Sequence, residues 1–365
     1  MRLRKANPAL TCVVGSSKLL NSGRKAHEPF VRKREHMSKK HFSLLSAALL
    51  MFSVASNAST IGSIVVYGDS LSDNGNLFAA TGQPGSPYYM GRRSNGPVAV
   101  EQLATSLGAT LVDFAWSGAT TGFGNLGDGG TPTSLGADSL PGMLTQLQNS
   151  QSSLSPYLGG LFIVWGGPDD FLSPSPLDPT VQQQITRAVG DLVSIVDTLE
   201  ADGATNILVP GMPDLGLTPY FNSLGPAEAA QATALTNAFN AALLASLPAG
   251  VKYFDTSALL QAMESDPSAY GFTNVTAPCY NGVTVCSDPA QYLFYDDLHP
   301  TTEADAFLAA GFEDVVTPEP GLVVPLGLGL IALALAAKRR TVENTSPCRD
   351  CKLPSAPEEA ARPTR

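Results

Sequence analysis

Five short, largely apolar stretches recur along the chain: Ile64-Val65-Val66-Tyr67, Leu111 to Trp116, Leu161 to Trp165, Asn206 to Pro210 and Val251 to Asp255. Each has the length of a strand, and apolar side chains at successive positions indicate burial on both faces. Between them the period changes to that of a helix. Val98 to Leu107 places Val100, Leu103 and Leu107 on one face. Residues 180–201 repeat Val181, Ile185, Val189, Leu192, Val196 and Leu199 every three or four positions, and Gly203 follows as a stop. Pro226 to Leu247 reads as an alanine-rich helix with Leu235, Phe239 and Leu243 on its face. Strands alternating with helices predict a parallel sheet covered on both sides, and about 260 residues suffice for one such domain.

The two ends follow other patterns. Residues 1–36 form a basic leader without apolar periodicity, and Met37 reads as the true start. From there a charged opening, an apolar run from Phe42 to Ala55 and the small-residue pattern Ser56-Asn57-Ala58 read as a signal peptide over 37–58, cleaved after Ala58. The run is too short for a transmembrane helix. At the far end, Pro318-Glu319-Pro320 precedes an apolar stretch over 321–337 and the basic cluster Lys338-Arg339-Arg340. Its 17 residues span about 25 Å as a helix, marginal for a bilayer. The remaining residues, 341–365, read as a disordered tail, and Cys348 and Cys351 within it are weak evidence for a metal site.

Charge sharpens this division. The whole chain carries a formal −10, but Ser59 to Thr317 holds 25 acidic residues against Arg92, Arg93, Arg187 and Lys252, a net −21. That balance argues against nucleic-acid or anionic-membrane partners and for an exported, soluble body. Cys279 and Cys286 flank an Asn-Gly turn, and in an exported chain they predict a disulfide that steadies the loop leading to residues 296–299.

Two stretches carry chemistry. The first strand stops at Gly68-Asp69-Ser70-Leu71, which delivers a serine hydroxyl to the carboxyl edge of the sheet, where open α/β folds bind ligands. The polar run behind it is suited to capping a helix whose first N–H groups face the same site. Gly-Asp-Ser alone is also common turn chemistry. Some 230 residues later, Asp296 stands three positions before His299, ahead of a helix-like segment. A serine hydroxyl needs a base, and an imidazole needs a partner to fix its tautomer. His27, His36 and His41 lie in the leader and signal peptide, so His299 is the one imidazole available to the domain. Gly122-Phe123-Gly124-Asn125-Leu126-Gly127 matches G-x-G-x-x-G, but no helix opens there, so a dinucleotide site is rejected in favour of a flexible loop.

Assembled, these residues resemble the GDSL (SGNH-type) lipase/esterase family. The resemblance runs from about Ile64 to Leu308 through Gly68-Asp69-Ser70-Leu71, Asn95-Gly96-Pro97, Ser117-Gly118-Ala119-Thr120, Trp165-Gly166-Gly167 and Asp296-x-x-His299-Pro300. It implies a flavodoxin-like three-layer α/β sandwich over residues 59–316 around a sheet of about five parallel strands. It further implies Ser70 as nucleophile, His299 as base then acid, and Asp296 as its orienting partner. The oxyanion hole would comprise the N–H groups of Ser70 and Gly118 plus an asparagine amide. Here the sequence departs from the pattern, because Asp169 stands where the asparagine belongs. An ionised carboxylate cannot donate to an oxyanion. A neutral Asp169, kept protonated beside Asp170, could donate; otherwise another group fills the hole.

The reading that results is an exported carboxylic ester hydrolase that is monomeric and needs no metal or cofactor. Its partners are an ester of a small molecule, lipid or glycan, and the processing enzymes. Two alternatives remain: a carbohydrate O-deacetylase, and a surface or glycan-binding relative weakened at Asp169. Residues 317–340 resemble the PEP-CTERM sorting signal of Gram-negative bacteria. The signal peptide implies signal peptidase as a processing partner, and this second resemblance implies an exosortase-type enzyme, with transient inner-membrane anchoring through 321–337 and an extracellular or cell-surface location.

Overall fold

A computed structural model describes residues 61–317. The expected leader, signal peptide, sorting segment beyond Thr317, tail and the Cys348/Cys351 pair lie outside the described residues. The five apolar stretches form β1 (Ser63–Gly68), β2 (Thr110–Asp113), β3 (Leu161–Trp165), β4 (Ile207–Pro210) and β5 (Lys252–Phe254). They pair in the order β2-β1-β3-β4-β5, every pair parallel. All carboxyl ends therefore lie along one edge, with β1 and β3 in the middle.

Alternation along each strand divides the core in two. Val65 and Tyr67 of β1, with Phe162 and Val164 of β3, pack against the helix Val181–Asp202 and the helix Pro226–Ser246. Ile64 and Val66, with Leu161, Ile163 and Trp165, face the opposite way onto the helices Ala99–Leu107 and Thr302–Val316. The four residues Ile64 to Tyr67 have no solvent exposure. Each such burial stabilises by about 1.5–3 kcal/mol, so β1 anchors both layers. The periodic helix 181–202 carries a capping box: Thr180 accepts from the Gln183 N–H, and the Gln183 side chain accepts from the Thr180 N–H.

In chain order the helices are α1 (Asn76–Thr81), α2 (Ala99–Leu107), α3 (Met143–Ser150), α4 (Pro168–Leu172), α5 (Val181–Asp202), α6 (Pro219–Leu224), α7 (Pro226–Ser246), α8 (Thr256–Ser265) and α9 (Thr302–Val316). One local expectation is corrected. The helix after Gly68-Asp69-Ser70 starts only at Asn76, and its leading N–H groups do not open toward the serine. Asp73 accepts from Gly75, Asn76 and Leu77, and also from Ser117 on the neighbouring strand's extension.

A second correction concerns residues 121–139. This loop is held firmly rather than loose: Phe123 donates to the Pro132 carbonyl, Gly124 to Thr131, Gly130 to Asn125 and Gly142 to Phe123. The buried Asn125 side chain donates to the Ser117 carbonyl and accepts from Gly127 N–H. Among the described residues no helix is long and apolar enough to cross a membrane.

Candidate active site

The serine reaches the edge because β1 can approach β3 very closely at its end. A Cβ on Gly68 would stand 2.7 Å from the Trp165 carbonyl oxygen, so only glycine fits that crossing. Gln146 of α3 then clamps the strand terminus. Its amide nitrogen donates to the Gly68 carbonyl at 2.8 Å and its oxygen accepts from the Gly68 N–H at 3.1 Å. Behind it the chain folds into a turn in which Ser72 and Asp73 N–H both return to the Asp69 carbonyl. Ser70 sits on that turn.

Across the edge, the segment before α9 is stitched to itself, with Tyr295 N–H donating to the His299 carbonyl. His299 Nε2 lies 2.8 Å from Ser70 Oγ, and His299 Nδ1 lies 2.8 and 2.9 Å from the two Asp296 oxygens. The Leu298 and His299 backbone N–H groups also donate to Asp296 Oδ1. Burial alone pushes the Asp296 carboxyl up, yet the charge of His299 and these hydrogen bonds outweigh it and bring it to about 2. An ionised Asp296 fixes the Nδ1–H tautomer and leaves Nε2 free to accept the serine proton.

Sequence reasoning missed Tyr88. Its hydroxyl donates to Asp296 Oδ2 at 2.8 Å, from a loop 208 positions away. The ring packs edge-on to Tyr280 and Tyr295, with the Arg93 guanidinium 5.5 Å above its face. Tyr280 belongs to the loop closed by the Cys279–Cys286 disulfide, whose Cα atoms are 4.8 Å apart. The cross-link thus steadies the Asp296 side of the site through two tyrosines, Tyr280 against Tyr88. Nothing local in the sequence marks this, because Tyr88 lies among glycines and prolines.

Gly118 adopts φ +86°, which suits glycine, and a Cβ there would stand 2.6 Å from Asn125 Oδ1. The N–H groups of Ser70 and Gly118 meet no acceptor among the described residues. Asp169 follows β3 at the start of α4, 6 % exposed, and lines the same cavity as Ser70 and His299. Among the described residues no hydrogen bond reaches its carboxyl. Burial raises that carboxyl well above the ordinary range, and the negative charge of Asp69, then that of Asp170, raises it further.

The companion carboxylate therefore differs from the one the sequence suggests. Asp170 turns away and accepts from the N–H and hydroxyl of Thr121 at 2.8 and 2.7 Å. Asp69 is the stronger influence. Its Oδ1 accepts from Leu71 N–H, while its buried Oδ2 has no partner among the described residues. Burial lifts Asp69 to about 6 although Leu71 and His299 oppose the rise. Of the two, Asp169 holds the proton, because it lacks the donors that Asp69 has.

The cavity beside these groups runs under the 294–300 segment and is predominantly apolar, with Trp165, Leu215, Leu260, Met263 and Leu308 on its walls. Among the described residues, no group of three or more His, Cys, Asp or Glu is placed to hold a metal ion.

Residues 64–312 match the GDSL-like Lipase/Acylhydrolase family, and the chain belongs to that family. It is 31 % identical over 256 residues to a phosphatidylcholine-sterol acyltransferase of Aeromonas hydrophila, a match covering 67 % of this chain and 73 % of that protein. It is also 31 % identical over 320 residues to esterase EstA of Pseudomonas aeruginosa, covering 73 % of this chain but only 49 % of the relative. Among solved structures, the acetylxylan esterase Axe2 from Geobacillus stearothermophilus superposes with a TM-score of 0.38 at 16 % identity, over 71 % of this chain and 97 % of that one.

Proposed function

We propose that this protein is an exported serine esterase that cleaves acyl esters in two steps. Ser70 attacks the ester carbonyl as His299 takes its proton; the protonated imidazole then passes that proton to the leaving alcohol. Water, activated by the same imidazole, releases the acid from the acyl-enzyme. Asp296 holds the imidazole in its reactive tautomer throughout. The N–H groups of Ser70 and Gly118 stabilise the tetrahedral oxyanion, with a neutral Asp169 as the third donor.

The observation that carries this reading is the continuous line of contacts Ser70 Oγ–His299–Asp296, each within 2.9 Å. The apolar cavity supports an acyl group longer than acetyl, so a lipid-like ester fits better than the O-deacetylase or glycan-binding alternatives. Export is supported by the signal-like residues 37–58 and by the Cys279–Cys286 disulfide, a bond that persists in oxidising compartments. The PEP-CTERM-like residues 317–340 support processing at the inner membrane, and the protein acts as a monomer on this reading.

A fluorophosphonate probe tests the nucleophile directly. The expected result is one covalent adduct on Ser70, abolished by Ser70→Ala. Absence of labelling in a folded wild-type protein that also hydrolyses no nitrophenyl ester would reject the enzyme reading.

A further inference from the structure

The domain is strongly acidic, yet one of its few cations is left without an acidic partner beside the serine. Arg92 pairs with Glu101 at 2.6 Å, Arg187 pairs with Asp178, and Lys252 donates to the Asn206 amide oxygen. Arg93 forms no ion pair among the described residues. Its Nε donates to Ser117 Oγ at 3.1 Å, and its guanidinium carbon stands 5.5 Å from the centre of the Tyr88 ring. The Tyr88 hydroxyl already gives its proton to Asp296. Arg93 is half-buried, which leaves part of the side chain accessible.

Three neighbours fix where this charge lies. Ser117 directly precedes Gly118, whose N–H serves the oxyanion in the proposed mechanism. Tyr88 holds the carboxylate behind His299. Asp169, on the cavity wall with Ser70, lies within range of the positive charge, which opposes the rise of its carboxyl. Arg93 itself is not part of the apolar wall. With the acyl chain in that cavity, the alcohol half of the ester lies outside it, toward Ser117 and Tyr88. A guanidinium presents paired N–H donors that match a phosphate or a carboxylate. The net negative field of the domain repels anions, so only a local cation retains one there.

We propose that Arg93 is an anion subsite for the alcohol half of the ester, binding a phosphate or carboxylate carried a few bonds from the ester oxygen. The inference rests on Ser70 acting as the nucleophile. Cleavage joins the acyl group to Ser70 Oγ and breaks the ester C–O bond. The anionic alcohol then leaves with the proton from His299. While bound, the anion offsets the pull of Arg93 on Asp169 and so favours the neutral, donating form of that carboxyl.

The test compares kcat/KM for three esters that share an octanoyl group: 1-octanoylglycerol, its 3-phosphate and 3-octanoylglycerate, each below its micelle concentration. The wild type prefers a charged ester to the neutral one despite the acidic field. Arg93→Gln lowers that charged-to-neutral ratio by about 10- to 100-fold, and Arg93→Lys retains part of it. Preference for the phosphate alone, the carboxylate alone or both names the anion, and each supports the subsite. A wild type with no preference for either charged ester overturns the proposal. So does an Arg93→Gln loss that is equal for all three esters, which would make Arg93 a positioning residue for Ser117 and Tyr88. Turnover of no ester, or full turnover after Ser70→Ala, overturns the nucleophile reading and this inference with it.

Discussion

Two buried carboxylates flank the same serine, and their environments push them in opposite directions. Asp296 accepts from the Tyr88 hydroxyl, the Leu298 and His299 N–H groups and the His299 ring, and falls to about 2 despite burial. Asp169, equally buried, receives no hydrogen bond among the described residues and sits near Asp69, so it is raised well above the ordinary range. Burial is common to both, so donors decide the charge state. On the proposed mechanism the ionised carboxylate orients the base, and the neutral one donates where charge develops.

The largest test of this contrast is Asp169→Asn. As pH rises, the wild type loses its third donor when Asp169 ionises, whereas an amide keeps donating. Once the pH is high enough to ionise Asp169, the variant should exceed wild-type kcat by a factor of roughly 10²–10³, the usual weight of one oxyanion donor, and below that pH the two should differ little. If the wild type is already the faster protein in alkali and the substitution slows it, the neutral-acid account fails.

Tyr88→Phe probes the other carboxylate with a smaller effect. Removing one donor to an ionised group costs about 1.5 kcal/mol, or roughly tenfold in kcat, with KM nearly unchanged. Because Asp296 loses a bond that holds it low, the acid limb of the pH–rate profile should move upward. A fall in activity with no such displacement would mark Tyr88 as packing alone.

The smallest effect is on stability. Asp170 is lifted to about 7, first by burial, and Asp69 and Asp191 to about 6, against an ordinary 3.8. Between those values the folded state binds more protons than the unfolded one, so their contribution is complete below about pH 4 and is lost as pH rises through 6 to 7. Asp296 acts with the opposite sign: its contribution is present above 3.8 and lost as pH falls toward 2. Melting temperature should therefore peak in mild acid and decline by several degrees toward neutrality, and Asp170→Asn should flatten that decline. A melting temperature that climbs steadily from pH 4 to 8 would contradict the raised carboxylates.

Much of this was legible in the chain itself. Runs such as Ile64 to Tyr67 and Leu161 to Trp165 can be buried only on both faces, which dictates a parallel sheet, and the spacing Asp296-x-x-His299 sets an acid beside an imidazole within one turn. Such patterns act over a few residues, so local chemistry suffices to read them. The short helices α3, α6 and α8 escaped because their apolar positions are too few to establish a period. Tyr88 and Gln146 escaped for another reason: each acts on a backbone or side chain far away in sequence, through contacts that exist only after folding.

The sequence by itself determined the strand and helix pattern, the residue types at positions 70, 296 and 299, and the aspartate at position 169. Tertiary structure alone decided that Asp69 rather than Asp170 is the main charge beside that aspartate, and that Asp296 draws a hydroxyl from Tyr88. Charge state and partner depend on distances in space, and covalent order does not encode those until the chain has packed.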